Sequence, residues 1–406
     1  MSDDAAVTDA GLLRSGVAEI VPAGGLEQKL SLGRPLRVKL GLDPTAPAVT
    51  LGWAVVLRKL RRFQDAGHTA VLIVGDFTAR VGDPSGRSET RPRLSKDQVD
   101  GYAERLLAQF GKVLDMERAE IRRNSEWLEP LGMEDILGLT ATTTVARMLE
   151  RDDFAGRFAA GKPISLMEFL YPLLQGYDSV AVAADVELGG TDQLFNLLVG
   201  RDLQRARGME PQIALTMPLL EGLDGIQKMS QSLGNYVGVE EPADEMFGKL
   251  MSIPDGLIAK YELLCTDLGL VDHARVRDGL VDGAIHPNDE KRRMARAVVD
   301  LYHGPGAGER AEARFDVVHR AHETPDDVPQ APIPVDAVKD GRVWLPRLLV
   351  VTGLAGSNGE ARRLIRQGGV RIDGDPVTDP DVELSPTELA GAVLQVGRRK
   401  FLRISG

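Results

Sequence analysis

This sequence predicts an α/β fold built on a parallel sheet, followed by a helical stretch and a small mixed α/β tail. Three observations carry that expectation. First, two buried-strand patterns, RVKLGL (37–42) and TAVLIVGDF (69–77), bracket the helical pattern AVVLRKLRRFQDAG, which is the signature of a βαβ unit. Second, further strand patterns run through VAVAADVELGG (180–190) and QIALTMPL (212–219), with mostly helical sequence over about 92–178. Third, residues 241 to about 322 read as helical again, as in NDEKRRMARAVVDLYHG, before TPDDVPQAPIPVD from Thr324 turns proline-rich and acidic. The division expected is 1–240, a helical segment 241–323, a linker 324–342 and a tail 343–406. The tail opens with helical periodicity and closes in short strands near RIDGDPV and AVLQVGRRKFLRI.

Composition narrows the class. At 406 residues the chain has ample length to bury a core. No apolar run approaches the roughly 18 residues that a membrane span needs. The start, MSDDAAVTDA, lacks the basic and apolar regions of a signal peptide. A single cysteine, Cys265, excludes an intramolecular disulfide framework and fits a reducing, cytoplasmic setting. The histidines show no metal-ligand spacing, so no metal site is expected. A net charge of −11 argues against whole-surface attraction to nucleic acid. The tail is different: nine Lys/Arg against seven Asp/Glu over 343–406 leave it at +2.

Five motifs carry chemistry. GLDPTAPAVTLGW, ending at Trp53, runs from a strand through an Asp43–Pro44 turn into a helix headed by Gly52, an arrangement that seats phosphate on unpaired N–H groups. VGDPSGRSETR (81–91) is a glycine-bearing loop whose Arg87 and Arg91 can reach an anion. YPLLQGYD (171–178) puts Tyr171, Gln175 and Asp178 on one helical face, a set able to bind an ammonium group and a hydroxyl. ELGGTDQ (187–193) places Asp192 and Gln193 at the carboxyl end of a strand, where open α/β sheets bind ligands. QKMSQSLGN (227–235) is a polar loop with one lysine, Lys228. Each alone has a bland reading, as a capped helix, a turn or a solvated stripe.

Taken together and in this order, the motifs resemble the bacterial tyrosyl-tRNA synthetases, class I enzymes with a Rossmann-like catalytic domain. The tail segment LAGSNGEARRLIRQGGVRIDG resembles the small RNA-binding domain that such synthetases share with a ribosomal protein. The resemblance implies that Asp83, Tyr171 and Gln175 hold the α-ammonium group of L-tyrosine, or of a close phenolic analogue. It implies that Asp178 accepts from the phenol hydroxyl, that Gln193 lies near the carboxylate and that Asp192 binds ribose. A site built to pair a substrate hydroxyl rejects the analogue lacking it by about 10⁴–10⁵. Lys39 stands where some members have a tyrosine that touches the phenol. Segment 241–323 would be a helical domain of the anticodon-binding type. Arg362, Arg363, Arg366, Arg371, Arg398, Arg399 and Lys400 would contact RNA, and a homodimer would bind tRNA.

The nucleotide side departs from the family. Its His-x-Gly-His signature is Thr50-Leu51-Gly52-Trp53 here, and the second lysine of Lys-Met-Ser-Lys-Ser is Gln231, with Lys228 and Ser230 kept. The resemblance implies ATP, with Mg²⁺ accompanying it; the substitutions imply that ATP is held weakly, held differently or not held. Thr45, Lys228, Arg87 and Arg91 remain to handle phosphate, with Asp43, Gly52 and Asp192 also on the nucleotide side. Loss of one preorganised donor typically lowers a rate by about 10²–10³. Three readings follow: a slow tyrosine:tRNA ligase, an enzyme moving a tyrosine-like acyl group to a small-molecule acceptor, or a non-catalytic binder of tyrosine or tRNA.

Overall fold

A computed structural model of the chain describes residues 9–83, 94–267, 269–319, 328–397 and 400–405. It divides into two compact units, 1–305 and 306–406. The helical segment beginning at 241 is therefore not set apart at its start: helices Ala243–Met251, Ile258–Cys265, Leu270–Asp282 and Pro287–His303 belong to the first unit.

The first unit is organised by a six-stranded sheet: β1 (Glu19–Val21), β2 (Arg37–Leu42), β3 (Thr69–Val74), β4 (Glu120–Arg123), β5 (Val186–Gly190) and β6 (Ile213–Met217). The spatial order is β1-β6-β5-β2-β3-β4, parallel throughout except for β1. Helix Leu51–Asp65 supplies the crossover from β2 to β3, as the βαβ pattern predicts, and buries Leu51, Ala54, Val55, Leu57, Leu60 and Phe63. Two expectations shift. The strand expected over 180–190 begins at Val186, because helix Leu166–Ala181 runs through Val180 and the chain reverses at Ala183 with φ 49°. Edge strand β4, inside the region expected to be mostly helical, is short and polar, so it shows no apolar alternation.

Helix Leu166–Ala181 packs against helix Leu194–Ala206 through two glycines. A Cβ on Gly176 would stand 3.0 Å from the backbone nitrogen of Gly200, so only glycine permits this approach. Between these helices and the sheet lies an ion pair with no solvent exposure. Lys39 Nζ on β2 donates to Glu187 Oε1 on β5 at 2.8 Å, to Ser179 Oγ at 2.8 Å and to the Gln175 carbonyl at 2.9 Å.

The second unit holds a five-stranded sheet of β7 (Gln330–Pro332), β10 (Val370–Ile372), β11 (Asp375–Pro376), β13 (Val393–Val396) and β14 (Lys400–Ser405). A three-stranded sheet of β8 (Val338–Lys339), β9 (Arg342–Trp344) and β12 (Glu383–Leu384) accompanies it. The stretch read as a linker is thus partly structural. β7 pairs in parallel with β14, and its position at the sheet edge tolerates Pro332. Val343, Leu345, Leu348, Leu349, Ile365 and Ile404 are among the residues of this unit's own core.

Removing one partner of a buried ion pair leaves a charge uncompensated and costs about 3–5 kcal/mol. Glu187→Gln is therefore expected to lower unfolding free energy by about that amount in urea denaturation. Replacing Lys39 and Glu187 together by apolar residues is expected to cost less than the two single changes summed.

Candidate active site

β2 lies between β3 and β5, so the strand order reverses at its carboxyl end, the place where open α/β sheets bind ligands. Asp43 follows β2 there. Its Oδ1 accepts from Thr78 Oγ1 at 2.7 Å and its Oδ2 from Tyr171 OH at 2.9 Å. A Cβ on Gly75 would meet Asp43 Oδ1 at 2.1 Å, so that glycine makes room for the carboxylate. Burial pushes Asp43 up to about 7; the Thr78 and Tyr171 hydrogen bonds oppose the rise, and Asp83 and Asp178 add to it. Burial and Asp43 also push the Tyr171 phenol well above its ordinary range.

Asp178, about two helical turns beyond Tyr171, is buried and accepts from Trp127 Nε1 at 2.8 Å and Asn124 Nδ2 at 3.3 Å. Burial pushes it up to about 6, against the pull of Lys39 and the two donors. Gln175 donates Nε2 to Glu187 Oε1 at 3.1 Å and accepts at Oε1 from Asn196 Nδ2 at 2.8 Å. Asp83 lies 3.9 Å from Arg151 Nη2. Tyr171, Gln175 and Asp178 thus lie on one helix, Leu166–Ala181, and Asp43 is bonded to Tyr171.

Lys39 corrects an expectation. Its ammonium group is wholly buried and bonded to Glu187, Ser179 and the Gln175 carbonyl, so it supports Gln175 from behind instead of touching a ligand. Thr78, Asn124, Trp127, Glu187 and Asn196 went unread because their partners lie far off in sequence. The spacing of Asn124 and Trp127, three apart beside a strand, was the faint local signal.

The head of helix Leu51–Asp65 is closed by the chain itself. Thr50 caps it, Oγ1 accepting from Trp53 N–H at 3.4 Å. Leu51 N–H donates to the Val237 carbonyl at 2.9 Å, and Gly52 N–H points to Met229 Sδ at 3.3 Å. The first three helical N–H groups, the ones a phosphate would use, therefore have internal partners. Gln231 Nε2 donates to the Ala48 carbonyl at 2.6 Å, fastening the second loop onto the first. Asn235 holds that loop's shape, accepting from Ser230 N–H at 2.9 Å and donating to Asp224 at 3.0 Å. Lys228 pairs with Asp192 at 2.9 Å, Ser230 Oγ meets Ser232 Oγ, Thr45 N–H donates to the Asp43 carbonyl, and Gln193 Oε1 accepts from Gly190 N–H. Trp53 is half-buried. Arg87 and Arg91 lie outside the described residues.

In the second unit, Ser357 caps helix Asn358–Arg366, which buries Ala361 and Ile365 and leaves Arg363 and Arg366 exposed. Arg362 pairs with Asp381 at 3.0 Å, exposed Arg371 donates to the Gly374 carbonyl, and Lys400 donates to the Leu354 carbonyl. Arg398 and Arg399 lie outside the described residues. Among the described residues no helix is long and apolar enough to cross a membrane.

Fold and site together define a class I aminoacyl-tRNA synthetase scaffold with an appended RNA-binding module. Residues 31–319 match the family of tRNA synthetases class I (W and Y), and 343–389 match the S4 domain. The tyrosine–tRNA ligase of Moorella thermoacetica is 56% identical over 397 residues, covering 97% of this chain and 94% of that protein. That of Geobacter sulfurreducens is 51% identical over 398 residues, covering 97% and 98%. The fold is also that of tyrosyl-tRNA synthetase from Archaeoglobus fulgidus complexed with L-tyrosine, at TM-score 0.61 and 22% identity over 75% of this chain and 98% of that one. A C-terminally truncated mitochondrial tyrosyl-tRNA synthetase from Aspergillus nidulans gives TM-score 0.61 at 20% identity, over 74% and 91%. This chain belongs to the tyrosyl-tRNA synthetase family.

The raised acids give a direct test. Asp43 and Asp178 bind protons more tightly folded, at about 7 and about 6, than at the ordinary 3.8. Between 3.8 and those values the native state holds more protons than the unfolded one. Their contribution to stability is therefore full below about 3.8 and is lost as pH rises from there through about 6 to 7. Carboxyl carbon-13 NMR is expected to show two aspartates with midpoints near those values, both absent from the spectrum's low-pH cluster.

Proposed function

We propose that this chain is a tyrosine-recognising synthetase of its family, acting with tRNA as a homodimer, whose activation of tyrosine by ATP is slowed by its own closed nucleotide seat. Tyr171, Gln175 and Asp83 take the ammonium group of the amino acid and Asp178 takes the phenol hydroxyl, with Gln193 beside the carboxylate. The helical segment 241–323 and the exposed arginines of the tail contact tRNA. The names of the relatives support the reaction, and the S4 match supports the RNA contact.

One observation carries the slow activation. The head of helix Leu51–Asp65 directs Gly52 N–H at Met229 Sδ, while Gln231 ties the second loop to the Ala48 carbonyl. Thr50 and Trp53, standing at the two signature positions, lack the imidazole donors of the family pattern. A phosphate would have to displace the Met229 contact and find no imidazole or second lysine in return. ATP, when bound, supplies the leaving group that makes the carboxylate reactive. This chain's residues hold and orient the amino acid.

Tyrosine-dependent ATP–pyrophosphate exchange tests the reading. The native chain is expected to be slow, and Thr50→His, Trp53→His, Gln231→Lys together to raise the rate by about 10² or more, the scale of one restored preorganised donor. A native rate on the order of 10 per second, typical of working enzymes, would sink the closed-seat proposal.

The dimer has its own support. Met133, Leu137, Phe158 and Leu166 are all strongly exposed apolar residues of the first unit. Leu137→Glu with Phe158→Glu is expected to halve the mass seen by light scattering while leaving the far-ultraviolet circular dichroism unchanged.

A further inference from the structure

We propose that Asn196 and Arg151 are positioning residues that fix which end of the Gln175 amide faces the substrate, and so make the site selective for a ligand bearing a free ammonium group. The inference rests on the amino-acid reading above. An amide is ambiguous by shape, since its oxygen accepts and its nitrogen donates at nearly the same place. Only its neighbours decide the orientation.

Here both ends of a relay have a single polarity. Arg151 can only donate, and its Nη1 lies 3.0 Å from Asn196 Oδ1. That fixes Asn196 with Nδ2 outward, 2.8 Å from Gln175 Oε1. At the other end the Glu187 carboxylate, paired with Lys39 at 2.8 Å, accepts from Gln175 Nε2 at 3.1 Å. Donor-only arginine at one end and acceptor-only carboxylate at the other leave Gln175 one orientation. Its Oε1 keeps a second lone pair, the acceptor an ammonium group needs. A flipped amide would offer N–H to a cation.

The supports are themselves rigid. Arg151 is buried, pairs with Asp153 at 2.7 Å and sits over the Phe154 ring at 5.1 Å. It also lies 3.9 Å from Asp83, another of the groups assigned to the ammonium. Glu187 is fixed from its second oxygen by Ser179 Oγ at 2.9 Å and by Gln212. At the phenol end Asp178 takes its hydrogen bonds from Trp127 and Asn124, and Lys39 and Glu187 act on it through their charges.

The test is Asn196→Asp in the full-length chain. The new carboxylate still accepts from Arg151 but cannot donate to Gln175, so the relay loses its polarity at nearly constant shape. Calorimetry would compare L-tyrosine with 3-(4-hydroxyphenyl)propionate, which lacks only the ammonium group. The native chain is expected to prefer tyrosine by about 10- to 100-fold, the range of a hydrogen bond to a charged group. In the variant that ratio is expected to collapse by about tenfold or more, while affinity for the propionate holds within about threefold. A folded variant that keeps the native ratio overturns the proposal. Should the variant not fold by circular dichroism, Asn196→Ala is read in the same way, with a fall of several-fold expected. A native chain without any preference for tyrosine would overturn the amino-acid reading itself, and this inference with it, before any substitution is made.

Discussion

The contact on which the amino-acid half of the site depends is the buried pair of Lys39 and Glu187. It joins the two central strands β2 and β5 side by side and reaches up to helix Leu166–Ala181 through Gln175 and Ser179. Two full charges without solvent are tolerable only when their remaining donors and acceptors are satisfied. Three donors of Lys39 and both oxygens of Glu187 are engaged, Gln212 completing the set. The pair therefore acts as a register pin between sheet and helix, and the helical face bearing Tyr171, Gln175 and Asp178 has its height and rotation set by it.

The two halves of the site are held by opposite means. Around Asp43 and Asp178, long-range side-chain bonds assemble acids whose burial holds their protons nearer neutrality. On the nucleotide side, backbone donors that could serve a ligand are met by the chain: Leu51 by Val237, Gly52 by Met229 and Trp53 by Thr50.

The family membership of the chain and the departure of its signature positions pull in different directions only if a motif is equated with an activity. Identity to tyrosine–tRNA ligases runs along nearly the whole chain, from the sheet and the helical face to the tail. Thr50, Trp53 and Gln231 are three local changes on that scaffold. The first caps helix Leu51–Asp65 and the last fastens its loop to the Ala48 carbonyl.

Much was legible in the sequence alone. Alternation and apolar runs fixed β2, β3 and the helix between them, because burial on both faces demands such runs. The i, i+4, i+7 spacing put Tyr171, Gln175 and Asp178 on one face, because helical periodicity is local geometry. The substituted signature positions were visible as residue identities. What tertiary structure decided was every partnership across long separations: Lys39 with Glu187, Asp43 with Tyr171, Arg151 with Asn196, Gly52 with Met229. Such pairs leave no periodicity, since their spacing records only how much chain lies between two elements. A lysine on a strand reads as a ligand contact until the fold shows it wholly enclosed, and a proline-rich stretch reads as a linker until β14 offers β7 an edge.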